Sequence, residues 1–275
     1  MTTINQTTMT AGTKLLEDIP GLQLWYQAST LEHLGDDSDV LSWKPRYSAG
    51  ANREVTATDS DNASTYQVGV SNVPALQTTN SYGVQNLTAD HRYLCPGADE
   101  AMMVVHHWRT TNMNDVSLSL ICGIGAGNTG GSGFRGWDFL PTGSSGHMRF
   151  RCRGTNNSHV NLNAPGAITV NTDHVMIVVR EHGADKLHLW IDGGDHQSET
   201  FDNGQSLKHA STAGDFIVGN YLSAANLDYA ATGTIGDVAI WVRVADYTNN
   251  EINRVGKFFA KRYGTTWTDA TQLAS

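Results

Sequence analysis

Charge is scarce in this chain: Asp, Glu, Lys and Arg make up 16% of its 275 residues, against roughly a quarter in an ordinary soluble domain. The few charges sum to -9, which argues against a general nucleic-acid binder, since those carry basic surfaces. Long apolar runs are missing too. Nothing approaches the roughly 20 residues that cross a bilayer as a helix, so no membrane insertion is expected. The first twenty residues, MTTINQTTMTAGTKLLEDIP, lack the charged start and apolar stretch of a secretory signal. The expectation is a protein made and kept in a cytoplasm, or one that leaves it by a route needing no signal. Cysteine is limited to Cys95, Cys122 and Cys152, an odd number at wide spacing, with no metal-binding or redox motif. Buried reduced thiols are predicted, and Cys152 alternates with Met148 and Phe150 as a core residue would.

What is abundant is glycine, at 28 residues, together with Asn, Thr and Ser. That mixture suits short strands joined by many turns. Alternating apolar segments occur at 22–28, 101–109, 116–121, 147–153, 174–180 and 186–193. In the second of these, Met103, Val105 and His107 share one side, with His106 on the other. Residues 174–180 and 186–193 flank a turn at 181–185 and read as a hairpin. Helical patterns are almost absent between the strands, so an antiparallel sandwich is the economical architecture. Residues 1–17 are polar, Thr-rich and without periodicity, and are expected to form an arm that is loose or orders only against a partner.

The last segment, 235–267, changes periodicity halfway. Val238, Ile240, Val242 and Val244 alternate with Ala239, Trp241, Arg243 and Ala245, so one strand face can be buried. Thr248 and Glu251 then have capping-box spacing, Ile252, Val255 and Phe259 share a helix face, and Gly264 supplies a left-handed stop. The set Gly236, Asp237, Ala239, Ile240, Asn250, Glu251, Val255, Phe259, Lys261, Tyr263 and Gly264 resembles the closing segment of concanavalin-A-like (laminin-G-like) domains. Leu24, Trp25, Ala28 and Ser29 resemble the first strand of that family, and the 174–193 hairpin and residues 215–220 fit its later strands. The resemblance implies an all-β fold: an antiparallel concanavalin-A-like jelly-roll β-sandwich over 18–267, with a short C-terminal helix. A polar N-terminal arm would precede it and a tail, 268–275, would come after it.

Some proteins of this fold cleave polysaccharides with paired carboxylates, usually as E-x-D-x-x-E on one strand. That motif is absent, Glu54 and Asp59 have the wrong spacing, and no G-x-S-x-G elbow occurs, so the chain is expected not to be an enzyme. The glycine-rich loop 123–136 lacks the lysine and the strand-to-helix setting of a phosphate loop. Phe134, Arg135 and Trp137 near its end can meet a partner or a sugar face, or Trp137 can plug the sandwich edge. No cofactor is expected, with calcium left open, as the resemblance implies, at turn residues Asp192, Asp195, Asp202, Asn203, Asn220 and Asp228. His106 and His107 cannot share a metal from opposite strand faces.

The least ordinary feature is a basic stripe, Arg149, Arg151 and Arg153, alternating with apolar residues and sharing its face with His147. Its charges would stand about 7 Å apart. It reads either as a solvated face balanced by carboxylates or as a dock for an acidic partner or anionic glycan. His188, Trp190 and Trp241 read either as a sugar-stacking sheet or as residues covered by loops or the terminal helix. Stand-alone, unsignalled domains of this resemblance are familiar among tailed-bacteriophage structural proteins. The resemblance therefore implies a non-enzymatic virion surface protein, a capsid decoration protein or a head-fibre or tail adhesin. It would be made in the host cytoplasm, assemble as a homo-oligomer, have capsid or other virion proteins as partners, and possess the capacity to contact polysaccharide. The alternative is a stand-alone carbohydrate-binding lectin or adhesin.

Overall fold

A computed structural model describes residues 15–49, 53–57, 61, 63–68, 74–78, 84–86, 91–111, 122–124, 136–142, 146–155, 159–201, 206–207, 216–219 and 233–273. The strand expected at 116–121, most of the glycine-rich loop with Phe134 and Arg135, and residues 1–14 of the arm lie outside them. In chain order the first strands are β1 (Leu22–Tyr26), β2 (Ser42–Trp43), β3 (Tyr47–Ser48), β4 (Val55–Ala57), β5 (Thr65–Val68) and β6 (Pro74–Gln77). Then come β7 (Val84–Asn86), β8 (Ala101–Thr110), β9 (Cys122–Ile124), β10 (Trp137–Pro141), β11 (His147–Arg153) and β12 (His159–Ala167). The last are β13 (Asp173–Glu181), β14 (Lys186–Ile191), β15 (Asp195–Thr200), β16 (Phe216–Val218) and β17 (Gly233–Arg243), succeeded by helix α1 (Asn249–Tyr263).

Two sheets result. The first runs β15-β14-β13-β8-β17-β1-β3, with β6 also on β17 and β5 on β6; the second runs β12-β11-β10-β9-β16-β7-β4-β2. The ladders are antiparallel throughout, as in β8 against β13 and β17, so the sandwich expected from the sequence is the one observed. Between the sheets lies a core that includes Leu24, Met102, Val104, Phe139, Phe150, Leu162, Val178, Leu189, Val238 and Ile240.

The first sheet is covered on its other face as well. Trp25, Met103, Val105, Ile177, Trp190 and Trp241 pack there with Ile252, Val255, Phe259 and Tyr263 of α1. The closing strand therefore buries both faces, not one: Val238 and Ile240 point between the sheets, Ala239 and Trp241 point under the helix. Val244 lies past the strand end and is exposed. In the second sheet only one face is packed along β12, where Val160, Leu162 and Ala164 are buried and Asn161 and Asn163 exposed.

Helix α1 starts as the sequence predicts. Thr248 accepts a hydrogen bond from the Glu251 N–H, Glu251 reaches back to the Thr248 N–H, and Gly264 ends the helix at φ 70°. Replacing Thr248 with Ala removes one half of this box and is expected to lower stability by about 1 kcal/mol, measured as a shift in urea midpoint at unchanged slope.

Packing continues past 267. The indole N–H of Trp267 donates to Asn253 Oδ1 at 3.0 Å, the Thr268 N–H donates to the Asp192 carbonyl at 2.8 Å, and Ala270 and Leu273 are buried. At the other end Leu16, inside the expected arm, is fully buried in the same cluster. Both chain ends thus act as straps over the first sheet, and so few apolar residues leave no periodic signature. Cys95 and Cys152 are buried, as predicted.

Candidate functional site

Because α1 and the chain ends occupy the outer face of the first sheet, the second sheet carries the accessible strand face. Register builds it. β10 places Asp138 opposite Arg151 and Leu140 opposite Arg149, and β12 places Asn161 opposite Arg151 and Asn163 opposite Arg149. The three arginines, equivalent in sequence, thereby receive three environments. Arg151 clamps Asp138, with Nη2 at 2.5 Å from Oδ2 and Nε at 3.1 Å from Oδ1. Burial pushes the Asp138 carboxyl up to about 6, against the downward pull of Arg151. Arg153 is buried, so it is not part of an open stripe. Arg149 Nε donates to Asn163 Oδ1 at 2.9 Å, and among the described residues no carboxylate lies within ion-pair reach of it. Burial and then the neighbouring Arg151 lower its pKa, with Asp138 opposing. The expected basic stripe is therefore corrected to a single open guanidinium at its Arg149 end.

A polar cleft of about 640 Å³ opens there, lined among others by His147, Arg149, Asn161, Asn163, Gln197 and Glu199. Gln197 and Glu199 come from β15, the edge strand of the other sheet, so the cleft lies where the edges of the two sheets meet. His147 Nδ1 sits 2.7 Å from the Ala164 carbonyl, which can only accept. In the neutral ring the proton is thereby assigned to Nδ1, leaving Nε2 as an acceptor. Arg149, named from the sequence, falls in this cleft, while Asn161, Asn163, Gln197 and Glu199 were missed. The polar-apolar alternation of 159–164 was the available signal for the two asparagines. DHQSET at β15 carries no apolar residue and reads as a loop.

The remaining sequence candidates lie elsewhere. Trp137 is buried between Phe139 and Phe150 with its indole N–H on the Leu94 carbonyl at 3.1 Å, so it plugs the sandwich. Trp190 and His188 are also buried, and do not form a sugar-stacking surface. The strap supplies the reason for Trp190: its indole N–H donates to Gln272 Oε1 at 2.9 Å. His188 is held between Glu181 Oε2 at 2.8 Å and His196 Nε2 at 3.0 Å, and burial lowers its pKa to about 4. Trp241 lies under α1. His106 packs on Phe139 between the sheets and His107 stacks on Tyr263 outside them, opposite faces as read from the sequence. Of the calcium candidates, Asp192 holds His174 through one carboxylate oxygen (2.7 Å) and accepts from the Val175 N–H through the other (2.9 Å). Asp195 is exposed on β15, and Asp202, Asn203, Asn220 and Asp228 lie outside the described residues.

Comparison with known proteins agrees with this architecture. The family model of the concanavalin A-like lectin/glucanases superfamily matches residues 107–252. The binding domain of Paraclostridial mosquitocidal protein 1 shares the fold at a TM-score of 0.59 and 10% identity, over 91% of this chain and 56% of that one. The botulinum neurotoxin serotype D binding domain matches at 0.54 and 15%, over 86% and 51%. Trypanosoma rangeli sialidase matches at 0.50 and 12%, over 93% and 39%. The chain spans about half the length of each of the two toxin domains. At these identities the likeness is one of fold. No curated protein matches the chain in sequence. A family match over more than half of the 275 residues, on two antiparallel sheets packed face to face, means that this chain belongs to the concanavalin A-like lectin/glucanases superfamily.

Proposed function

We propose that this protein is a lectin-like binding module without a catalytic centre, and that the cleft between β11, β12 and β15 is where it holds a glycan. The observation that carries this reading is the placement of the cleft: the first sheet is covered on both faces, and the cleft opens on the accessible side of the second. Its lining supplies donors and acceptors together, from the Asn161, Asn163 and Gln197 amides, the Arg149 fork and the Glu199 carboxylate. A hydroxyl-rich ligand needs that mixture. Glu199 is the one carboxylate among the described residues of the lining, whereas glycoside hydrolysis uses a facing pair. A glycan array probed with the full chain should give a saturable hit. Replacing Asn161 and Asn163 together with Ala should weaken that hit at least tenfold with an unchanged melting temperature. An array with no saturable hit rejects the proposal.

The setting we propose is the surface of a virion, with capsid proteins as partners. The support is the resemblance of this fold to domains found among tailed-bacteriophage structural proteins. Immunogold electron microscopy of the native source should label particle shells or tails at regular positions, and labelling confined to cell surfaces or free solution would remove the virion from this reading.

A further inference from the structure

We infer that the glycan held by this cleft is an acidic one, with the carboxylate of a sugar acid seated on Arg149. This rests on the cleft being a glycan site. Two guanidiniums, Arg149 and Arg151, stand side by side on β11 with one carboxylate, Asp138, between β10 and both of them. Asp138 is already clamped by Arg151 through both of its oxygens. One positive charge at Arg149 is left over, partly buried and beside another cation.

The only acceptor that Arg149 meets among the described residues is neutral, the Asn163 amide oxygen, and it takes Nε. That bond fixes the plane of the guanidinium and leaves the two terminal amino groups as a planar fork in the cleft lining. A carboxylate matches such a fork with two parallel hydrogen bonds. It would also restore charge balance where burial and Arg151 now disfavour the cation.

Glu199 selects the groups that neighbour the acid on the sugar. It lines the same cleft from β15 and forms no ion pair with Arg149. A carboxylate there accepts hydroxyls and repels a second anion. The cleft therefore reads one negative group together with hydroxyls, the pattern of a sugar acid, and disfavours a densely sulfated chain.

Calorimetric titration of the full chain tests this with polygalacturonate and polysialic acid, each beside its methyl ester, and with dextran and dextran sulfate. At least one of the two acids should bind, its ester should bind at least tenfold more weakly, and both dextrans should bind more weakly than that acid. Arg149→Gln should lose the acid at least tenfold with an unchanged melting temperature, and Arg149→Lys, which keeps the charge without the fork, should fall between. An acid and its ester bound equally, full binding by Arg149→Gln, or dextran sulfate bound as tightly as the acid would overturn the sugar-acid assignment while leaving the glycan reading in place. Failure of every saccharide here and on the array would remove both.

Discussion

Replacing Gly236 with Ala is expected to destabilise the protein by roughly 3–5 kcal/mol, the sum of an overpacked core and a disrupted buried hydrogen-bond group. A Cβ on Gly236 would sit 2.2 Å from the Tyr263 hydroxyl oxygen, 2.4 Å from its Cζ and 2.5 Å from His107 Nδ1. Neither ring can yield. They stack on each other with centroids 3.5 Å apart, Tyr263 donates to Asp237 Oδ1 at 2.7 Å, and His107 Nε2 lies 3.0 Å from Asp173. Asp237 is fully buried and also accepts from the Ala28 N–H at 3.0 Å and the Trp25 indole at 3.3 Å, with Arg262 at 3.2 Å. Moving Tyr263 would disturb first strand, closing strand and helix together. Gly264→Ala is the control: its φ is 70°, but a Cβ there meets nothing within 4 Å, so only backbone strain remains, about 1 kcal/mol. Urea unfolding of both variants checks the difference. A Gly236→Ala protein within 1 kcal/mol of wild type, on the scale of a single local effect, would show that the corner is loose.

This corner explains why the fold was legible. Trp25 and Ala28 near the start, and Gly236, Asp237 and Tyr263 near the end, were read as two separate family signatures, yet they meet at one buried carboxylate. Each residue type is fixed there by a single close contact, and such positions leave a recognisable imprint on a sequence. Alternation was equally readable where a strand packs on one side, as in β11, with Met148, Phe150 and Cys152 inward. The site was legible only in outline. Arg149, Arg151 and Arg153 are alike along the chain, and what separates them is register: Asp138 of β10 falls opposite Arg151, and Asn163 of β12 opposite Arg149. Pairing between strands distant in sequence has no local signal. Trp190 was misplaced in one of its two readings for the same kind of reason, since the strap that covers it returns from Gln272.

Acid should destabilise the sandwich steeply, with His106 as the principal cause. Its ring lies fully buried between the sheets, edge-on to Phe139 at 4.6 Å, and its nitrogens find no partner of hydrogen-bond geometry among the described residues. Burial, then the neighbouring His107, lowers its pKa from 6.5 to about 3, against a small opposing contact with the His107 backbone. The folded pKa lies below the unfolded one, so the stabilisation is complete above about pH 6.5 and is lost as pH falls toward 3. The loss approaches 1.4 kcal/mol per pH unit for one such group, or roughly 2–3 kcal/mol at pH 4.5. His107, His188 and His196, all lowered chiefly by burial, act in the same direction. Three groups oppose them. His174, raised by Asp192 in spite of its burial, favours the folded state on the acid side, and so do Asp138 and Glu181, whose carboxyls are pushed up chiefly by burial. His106→Leu isolates the main term, because an apolar side chain of similar bulk suits a site bounded by Phe139 and cannot take a proton. Urea midpoints from about pH 7.5 to 4.5 should fall less steeply for His106→Leu than for wild type, by close to one proton's worth of slope. Parallel curves would mean that His106 takes up its proton without unfolding, and the acid sensitivity would then belong to the His188–His196 pair at the edge of the first sheet.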